Sequence, residues 1–446
     1  MTTTLPPAEA AQPELAPPRE RRRVLGSAFA GTTIEWYDFY LYGTASALVF
    51  NTQFFPSDNP LASTLASFST LAIGFLMRPL GGIVAGHLGD RIGRKALLVA
   101  SLLVMGIASL LIGLLPNHEA IGAWAAVALV LLRMVQGFAT GAEWGGSALL
   151  SVEHAPAARR GLYGSFTQVG SAAGMLLATG AFLVVRSLTT AEQFADFGWR
   201  IPFLASAVLV VLALWIRLGV QDAPEFTAVR REGRTASAPV REVLTRHRRP
   251  LLIIVAQRIA QNSIYFLIAV YLLSYLSDTR GDDTSGVTAV MIASAVGLVT
   301  TPLWGMLSDR VGRRPVTVFG YVAIAVFVWV LFTYLGASSL ALLPLVVILG
   351  MNIAHDAVYG PQAAWFAEQF PVEVRYSGVN MGYQLGSVIG GGIMPLLAAV
   401  LYAAGGGTPW LICLYVTAIS VISLVATLFA EDPHGRALRA ARAPRP

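Results

Sequence analysis

The chain has 446 residues, of which 55% are hydrophobic and only 13% charged, and its mean hydropathy is +0.63. That balance excludes a soluble globular protein of this length and points to many membrane spans. The net charge of +6 does not indicate a nucleic-acid partner, because the arginines stand at loop ends and no basic domain carries them.

In chain order, Met1 to Pro18 is rich in Pro, Ala and Thr and lacks the apolar core of a signal peptide, so residues 1–23 read as a disordered cytoplasmic tail. Apolar runs long enough to cross ~30 Å of hydrocarbon follow at roughly 25–50, 61–88, 96–115, 121–150, 161–186 and 199–219. A second set falls at roughly 250–276, 286–308, 316–335, 339–366, 376–403 and 408–430. The expected fold is an all-α integral membrane protein of twelve transmembrane helices in two six-helix bundles, 24–220 and 250–430. Residues 221–249 mix Arg, Glu, Pro and Ser and read as a cytoplasmic linker, and 431–446 as a short cytoplasmic tail without heptads. Positive charge gathers on alternate loops, including Arg91 to Lys95, Arg159, Arg160, the stretch Arg217 to Arg249, and Arg310 to Arg314. Both termini are therefore expected in the cytoplasm. The single cysteine, Cys413, lies in the last apolar run and has no partner for an intramolecular disulfide.

The two halves echo each other. Gly86-His-Leu-Gly89-Asp90-Arg91-Ile-Gly93-Arg94-Lys95 returns as Gly305-Met-Leu-Ser-Asp309-Arg310-Val-Gly312-Arg313-Arg314, each between two apolar runs. Glu153, Pro156 and Arg160 return as Glu368, Pro371 and Arg375 with the same spacing. Repeated halves around a midplane site are the layout of alternating-access transport.

These loop motifs, with Arg133-Met-Val-Gln136-Gly137 on the fourth run, resemble the signatures of the major facilitator superfamily. Thr33-Ile-Glu35-Trp36-Tyr37-Asp38-Phe39, Arg78-Pro79-Leu-Gly81-Gly82, Gly141-Ala-Glu143-Trp144-Gly145-Gly146, Gly198-Trp-Arg-Ile-Pro202-Phe and Gly360-Pro361-Gln362 resemble its metabolite:proton symporters. Arg375-Tyr-Ser-Gly378 and the glycines Gly390 to Gly392 fit the same group, which extends the likeness from about residue 24 to about 430. The resemblance implies two pseudo-symmetric bundles of the major facilitator fold, a cavity lined by spans one, four, seven and ten, and a monomer in the inner membrane. It also implies carriage of shikimate, 2-oxoglutarate, citrate or related acids, or of proline and betaine.

Gly86, Asp90, Arg91, Gly93, Arg94, Glu153, Asp309, Arg310, Arg313 and Glu368 are expected to gate. Glycines allow close backbone approach, and Asp90 and Asp309 are expected to meet nearby arginines and helix ends when the cytoplasmic side is closed, with Glu153 and Glu368 as further partners that exchange as the bundles separate. Ionisable residues inside spans are expensive and therefore candidates for function. Counted at ~1.5 Å per residue from the cytoplasmic charges, Glu35 lies ~18 Å deep, Asp38 ~22 Å, Arg78 ~18 Å, Glu143 ~15 Å, Arg258 ~14 Å and Asp356 ~18 Å. They converge on one layer, with Arg133 deeper at ~30 Å.

Glu35, Asp38, Glu143 and Asp356 are the expected proton-coupling acids, since a carboxyl in a low-dielectric cavity readily holds a proton. Arg258, with Gln261 and Asn262 at spacings of three and four, offers a fork for a carboxylate. Arg133, Gln168 and Gln384 complete the expected substrate contacts, and Arg78 is expected to neutralise Glu35 as a structural ion pair. His355 and Asp356, being neighbours, are expected to diverge around their helix by ~100°.

The predicted function is import of a small organic acid by proton symport. A proline or betaine-type osmolyte carrier is the nearest alternative, and a non-transporting nutrient sensor an alternative of another class. An enzyme is not expected: no His-Glu-x-x-His or Gly-x-Ser-x-Gly is present, and the loops are too short for a catalytic domain. No catalytic residue, metal or cofactor is predicted. The partners are the substrate, protons and the lipid bilayer.

Overall fold

The structure is a computed structural model and describes residues 17–58, 60–92, 94–218, 227, 238–282, 284–337 and 339–442. Its described residues are helical apart from short connections between the helices. Pro18–Ala45 forms α1, followed by α2 (Pro60–Ile92), α3 (Arg94–Leu114), α4 (Trp124–Glu153), α5 (Arg160–Leu188) and α6 (Arg200–Leu218). A short amphipathic helix, Pro239–Arg246, precedes the second set. That set comprises α7 (Arg248–Arg280), α8 (Ser285–Val311), α9 (Arg313–Leu335), α10 (Leu343–Ala367), α11 (Val372–Ala404) and α12 (Trp410–Phe429). A last helix, α13 (Pro433–Arg442), follows.

Eleven described helices, α2 to α12, are long and apolar enough to cross a membrane. The twelfth, α1, has the length, at 28 residues, but its basic start and the acids Glu35 and Asp38 lower its apolarity. Leucines, valines and tryptophans such as Leu76, Leu131, Val208, Trp215, Val326 and Leu396 are exposed around the outside, the reverse of a water-soluble surface. The polar residues turn inward, so lipid is the solvent that this surface fits.

Two boundaries depart from the sequence reading. Pro18 to Arg23, assigned to a disordered tail, are the first turns of α1: proline at the first helical position has no N–H to leave unpaired. Arg217, counted among the loop charges, is 1% exposed on the last turn of α6.

Four wide π-helical turns interrupt the inner helices, at Ser46–Phe50 after α1, Leu267–Tyr271 in α7, Leu349–His355 in α10 and Val388–Gly392 in α11. Such turns shift side-chain direction along a helix and concentrate at functional sites. The halves meet mainly where α2 and α4 pack on α11, and where α5 packs on α8 and α10.

Candidate functional site

The site lies between the halves, closed at both ends. At the end bearing the repeated loops, each motif aspartate caps a helix of the opposite half. Asp90 accepts from the backbone N–H groups of Tyr376 at 3.2 Å and Ser377 at 2.9 Å, in the first turn of α11's long helical segment. Asp309 accepts from Gly161 and Leu162, both at 2.8 Å, in the first turn of α5. A carboxylate there satisfies orphan N–H groups and faces the positive end of the helix dipole.

Ionic contacts reinforce both caps. Arg313 is buried against Asp309 at 2.6 Å and Glu368 at 3.1 Å, and Arg375 reaches across the halves to Glu153 at 3.0 Å. Gly312, with φ 101°, makes the turn between α8 and α9 that positions Arg313. Gly86 lies so close to Ser377 that a Cβ would come within 2.7 Å of its Cα. Arg310 is exposed. Gly93 and the side chains of Arg91 and Arg94 lie outside the described residues.

Just inside this closure, aromatic and amide groups bridge the halves. Trp144 on α4 stacks on Tyr383 of α11 with ring centroids 3.4 Å apart, and its indole N–H donates to Gln168 at 2.7 Å. Gln168 in turn donates to the Tyr359 carbonyl at 3.1 Å, and Gln384 to the Gly141 carbonyl at 3.2 Å. In this closed state Gln168 and Gln384 therefore join helices across the interface.

The central layer holds the buried charges. Arg258 donates to Ser387 Oγ at 3.1 Å, to Gln362 at 3.1 Å and to Gln261, with its guanidinium 3.8 Å above the Tyr383 ring. Gln261 contacts His355 Nε2, and His355 Nδ1 lies 3.0 Å from Asp356. The two neighbours thus share a hydrogen bond instead of diverging, at the point where the π-helical turn of α10 ends. Asp356 also accepts from Thr300 at 2.8 Å, Thr301 at 3.0 Å and Asn352 at 3.3 Å. Asn262 donates to the Ser387 carbonyl at 3.1 Å. Arg258, Gln261, Asn262 and His355 line a narrow pocket with Trp36, Ser171, Tyr265 and Tyr359.

The acids of the first half are held differently. Glu35 faces Arg78 at 3.6 Å. Asp38 is 1% exposed, faced by Ser109 and Arg133, and no basic side chain among the described residues lies in salt-bridge range of it. Arg133 donates to Gln136 and lies 4.1 Å from the centre of the Tyr42 ring. Glu143 is locked by Arg217 in a bidentate pair at 2.6 and 2.8 Å, with Ser147 and Ser101 hydroxyls donating as well.

Further from the repeated loops, Phe39, Phe75 and Phe266 stand edge to face with centroids 5.3 to 5.8 Å apart and close the opposite end. Edge-to-face contact is a favourable aromatic geometry that separates without breaking polar bonds.

Sequence reasoning missed Arg217 as the partner of Glu143, and the chain of Gln261 and His355 between Arg258 and Asp356. The signal for Arg217 was an arginine ending an apolar run within one helical turn of the membrane boundary. For His355 it was a histidine within a span, whose partner on another helix no spacing along the chain could give.

Twelve helices closed at both ends around a buried polar pocket are the architecture of a carrier that exposes one site to each side in turn. The chain belongs to the Major Facilitator Superfamily, whose pattern matches residues 28–382 and 298–446. It is a membrane transporter and not an enzyme. It is 42% identical over 417 residues to the Shikimate transporter of Escherichia coli K12, covering 93% of this chain and 95% of that one. It is 32% identical to the Glycine betaine/proline/ectoine/pipecolic acid transporter OusA of Dickeya dadantii, covering 94% and 85%. Among solved structures it superimposes with a TM-score of 0.78 on the proton:xylose symporter XylE bound to 6-bromo-6-deoxy-D-glucose, at 17% identity and over 95% and 99% of the chains. The last likeness concerns the fold.

Proposed function

We propose that the protein imports a small organic acid of the shikimate or dicarboxylate class by proton symport, as a monomer in the inner membrane with both termini cytoplasmic. The observation that carries this reading is Arg258: a guanidinium 2% exposed, on the wall of the pocket between the halves, with no carboxylate in salt-bridge range among the described residues. A buried cation without a counter-charge is costly, and a substrate carboxylate provides one.

Asp38 is the first candidate for the coupling proton, as a buried carboxyl with no counter-ion in contact among the described residues. Asp356, linked to the Arg258 network, is the second. Glu35 stands with Arg78 as a pair that protonation of the acid releases, and Glu143 is engaged by Arg217 as a brace within the first half. Asp90, Asp309, Glu153 and Glu368 act as gate partners on the cytoplasmic face, with Gly86, Arg310 and Arg313. The positive-charge bias of the loops supports that orientation. The bundles 24–220 and 250–430 rock about the pocket, joined by the linker at 221–249.

Trp36, Tyr265 and Tyr359 on the same pocket support a second reading, transport of a zwitterion. Aromatic faces hold a quaternary ammonium while Arg258 takes its carboxylate. Uptake of labelled shikimate, 2-oxoglutarate, proline and betaine into proteoliposomes, with and without an inward proton gradient, separates the two. Gradient-driven accumulation of the acids alone supports the first reading. Accumulation of betaine or proline alone moves the assignment to osmolytes, and gradient-insensitive uptake rejects symport.

A further inference from the structure

The hydrogen bonds that join Arg258 to Asp356 have their direction fixed by chemistry. Arg258 carries donors only, so the Gln261 atom that meets its Nη1 is the carbonyl Oε1. The Gln261 amide nitrogen therefore faces His355 Nε2 and donates to it, which requires that ring nitrogen to be bare. The imidazole proton then sits on Nδ1, 3.0 Å from Asp356 Oδ1, and donates to the carboxylate. Asp356 Oδ2 already accepts from Thr300, Thr301 and Asn352. The open position for a further proton is His355 Nε2, on the pocket side.

We infer that Gln261 and His355 form a proton-operated latch on Arg258, so that a proton on His355 releases the guanidinium for the substrate anion. This rests on the reading of Arg258 as the anion anchor. The proton arrives from water at His355 Nε2 and forms one N–H bond, leaving an imidazolium beside the Asp356 carboxylate. Gln261 then rotates its amide: Oε1 accepts from the new N–H, and the NH2 group turns toward Arg258. Arg258 Nη1 loses its Gln261 acceptor but keeps Gln362, and Nε keeps Ser387.

Two donors, Arg258 Nη1 and Gln261 Nε2, now face each other, and a substrate carboxylate is the acceptor that satisfies both. Proton and anion each favour the other's binding, by a coupling that holds in both directions. When the pocket opens inward the anion leaves, the proton returns to water, and the amide swings back. The ionisable groups facing His355 are Asp356 and Tyr359 on α10, Tyr265 on α7 and, through Gln261, Arg258. Glu35 on α1, Arg78 on α2, Tyr321 on α9 and Tyr383 on α11 act on Arg258. From α5 and α8 come the hydroxyls of Ser171, Thr300 and Thr301.

The test is equilibrium binding to the purified full chain between about pH 6 and 8, with shikimate, 2-oxoglutarate and betaine as probes, whose charges are fixed over that range. In the unaltered protein the affinity for the bound probe falls as pH rises, approaching roughly tenfold per pH unit, and binding draws about one proton from a weak buffer. In His355→Asn the slope falls below about twofold per unit and proton uptake disappears. Gln261→Asn, which shortens the latch and leaves the imidazole in place, loses the slope too and decides the matter should His355→Asn not fold. A variant pair that keeps the unaltered slope, which would put the coupling proton on Asp38 or Asp356 instead of His355, or an unaltered protein whose affinity ignores pH, overturns the latch while leaving gradient-driven uptake to stand or fall by itself. Failure of every probe to bind overturns both the latch and the role of Arg258.

Discussion

Glu143 and Asp38 lie on neighbouring helices of the same half and are equally buried, at 1% exposure, yet only one has a counter-ion in contact. Glu143 and Arg217 form a closed unit with Ser27, Ser101 and Ser147. Removing one partner strands the other in a dry site. Glu143→Gln is expected to cost about 3–5 kcal/mol of stability, whereas replacing both residues by methionine costs far less. A double-mutant cycle read by thermal unfolding checks this; additive losses would mean that the pair is not a unit. Outside the membrane, Asp282 accepts from the backbone N–H groups of Thr284 at 3.0 Å and Ser285 at 2.9 Å, just before α8. The Ser285 hydroxyl first, then these N–H groups, hold its carboxyl below the usual range. Its contribution is present above the ordinary aspartate pKa and is lost as pH falls through the depressed value. The stability gap to Asp282→Ala therefore narrows on acidification, which melting curves at stepped pH measure.

Among the charges, depth was legible, and pairing only for Glu35 with Arg78. Counting residues from the loop charges placed Glu35, Arg78 and Arg258 in one layer, and the structure has Glu35 beside Arg78. Which acid meets which arginine depends on helix rotation and on the π-helical turns, for which hydropathy has no signal. Arg217 shows the limit: as the last residue of an apolar run it reads as a topology charge, but the helix turns it inward to Glu143.

For the helices, each half supplies the cap for a helix of the other. Asp309→Ala removes two charge-assisted bonds to the start of α5 and is expected to weaken the closed state by about 0.5–2 kcal/mol, in the range of a lost N-cap. Gly305→Ala acts more bluntly. Its Cβ would come within 2.6 Å of the Gly161 carbonyl oxygen, a backbone obstacle that cannot rotate away. The variant is expected to hold the repeated-loop end apart, so that a cysteine placed at Ser165 reacts faster with a polar maleimide added from that side. Equal reactivity would show that α5 and α8 need not touch there. The repeated motifs marked both loops as gate parts in the sequence, because an acid repeated in both halves asks for a repeated partner. Which helix end each aspartate meets, and that it belongs to the opposite half, needed the fold.

At the scale of the whole molecule, the architecture was the most legible part. Apolar runs in the sequence mark all twelve spans, the first at 25–50 included, although Glu35 and Asp38 leave that helix less apolar than the other eleven. The inner surface is less legible because polar residues there satisfy one another across helices, as Asn380 does with the Gly82 carbonyl and Tyr376 with that of Ala142. Closure at both ends means that the protein must separate one set of contacts before the pocket meets water. Disabling the salt bridge between Glu153 and Arg375 by Arg375→Gln is expected to raise access from the repeated-loop end without changing access from the other. Site-directed labelling on each side measures the two separately.

The stack of Trp144 on Tyr383 has a practical consequence. Its indole is anchored on α4 and its phenol on α11, so rocking of the halves pulls apart two rings now 3.4 Å from centre to centre. An indole moved from a dry, stacked site into a wet cleft emits at longer wavelength, and the protein thereby carries its own optical gauge of each transport cycle. A chain with its other tryptophans replaced by phenylalanine would report, in real time and without an attached dye, when the inner door swings.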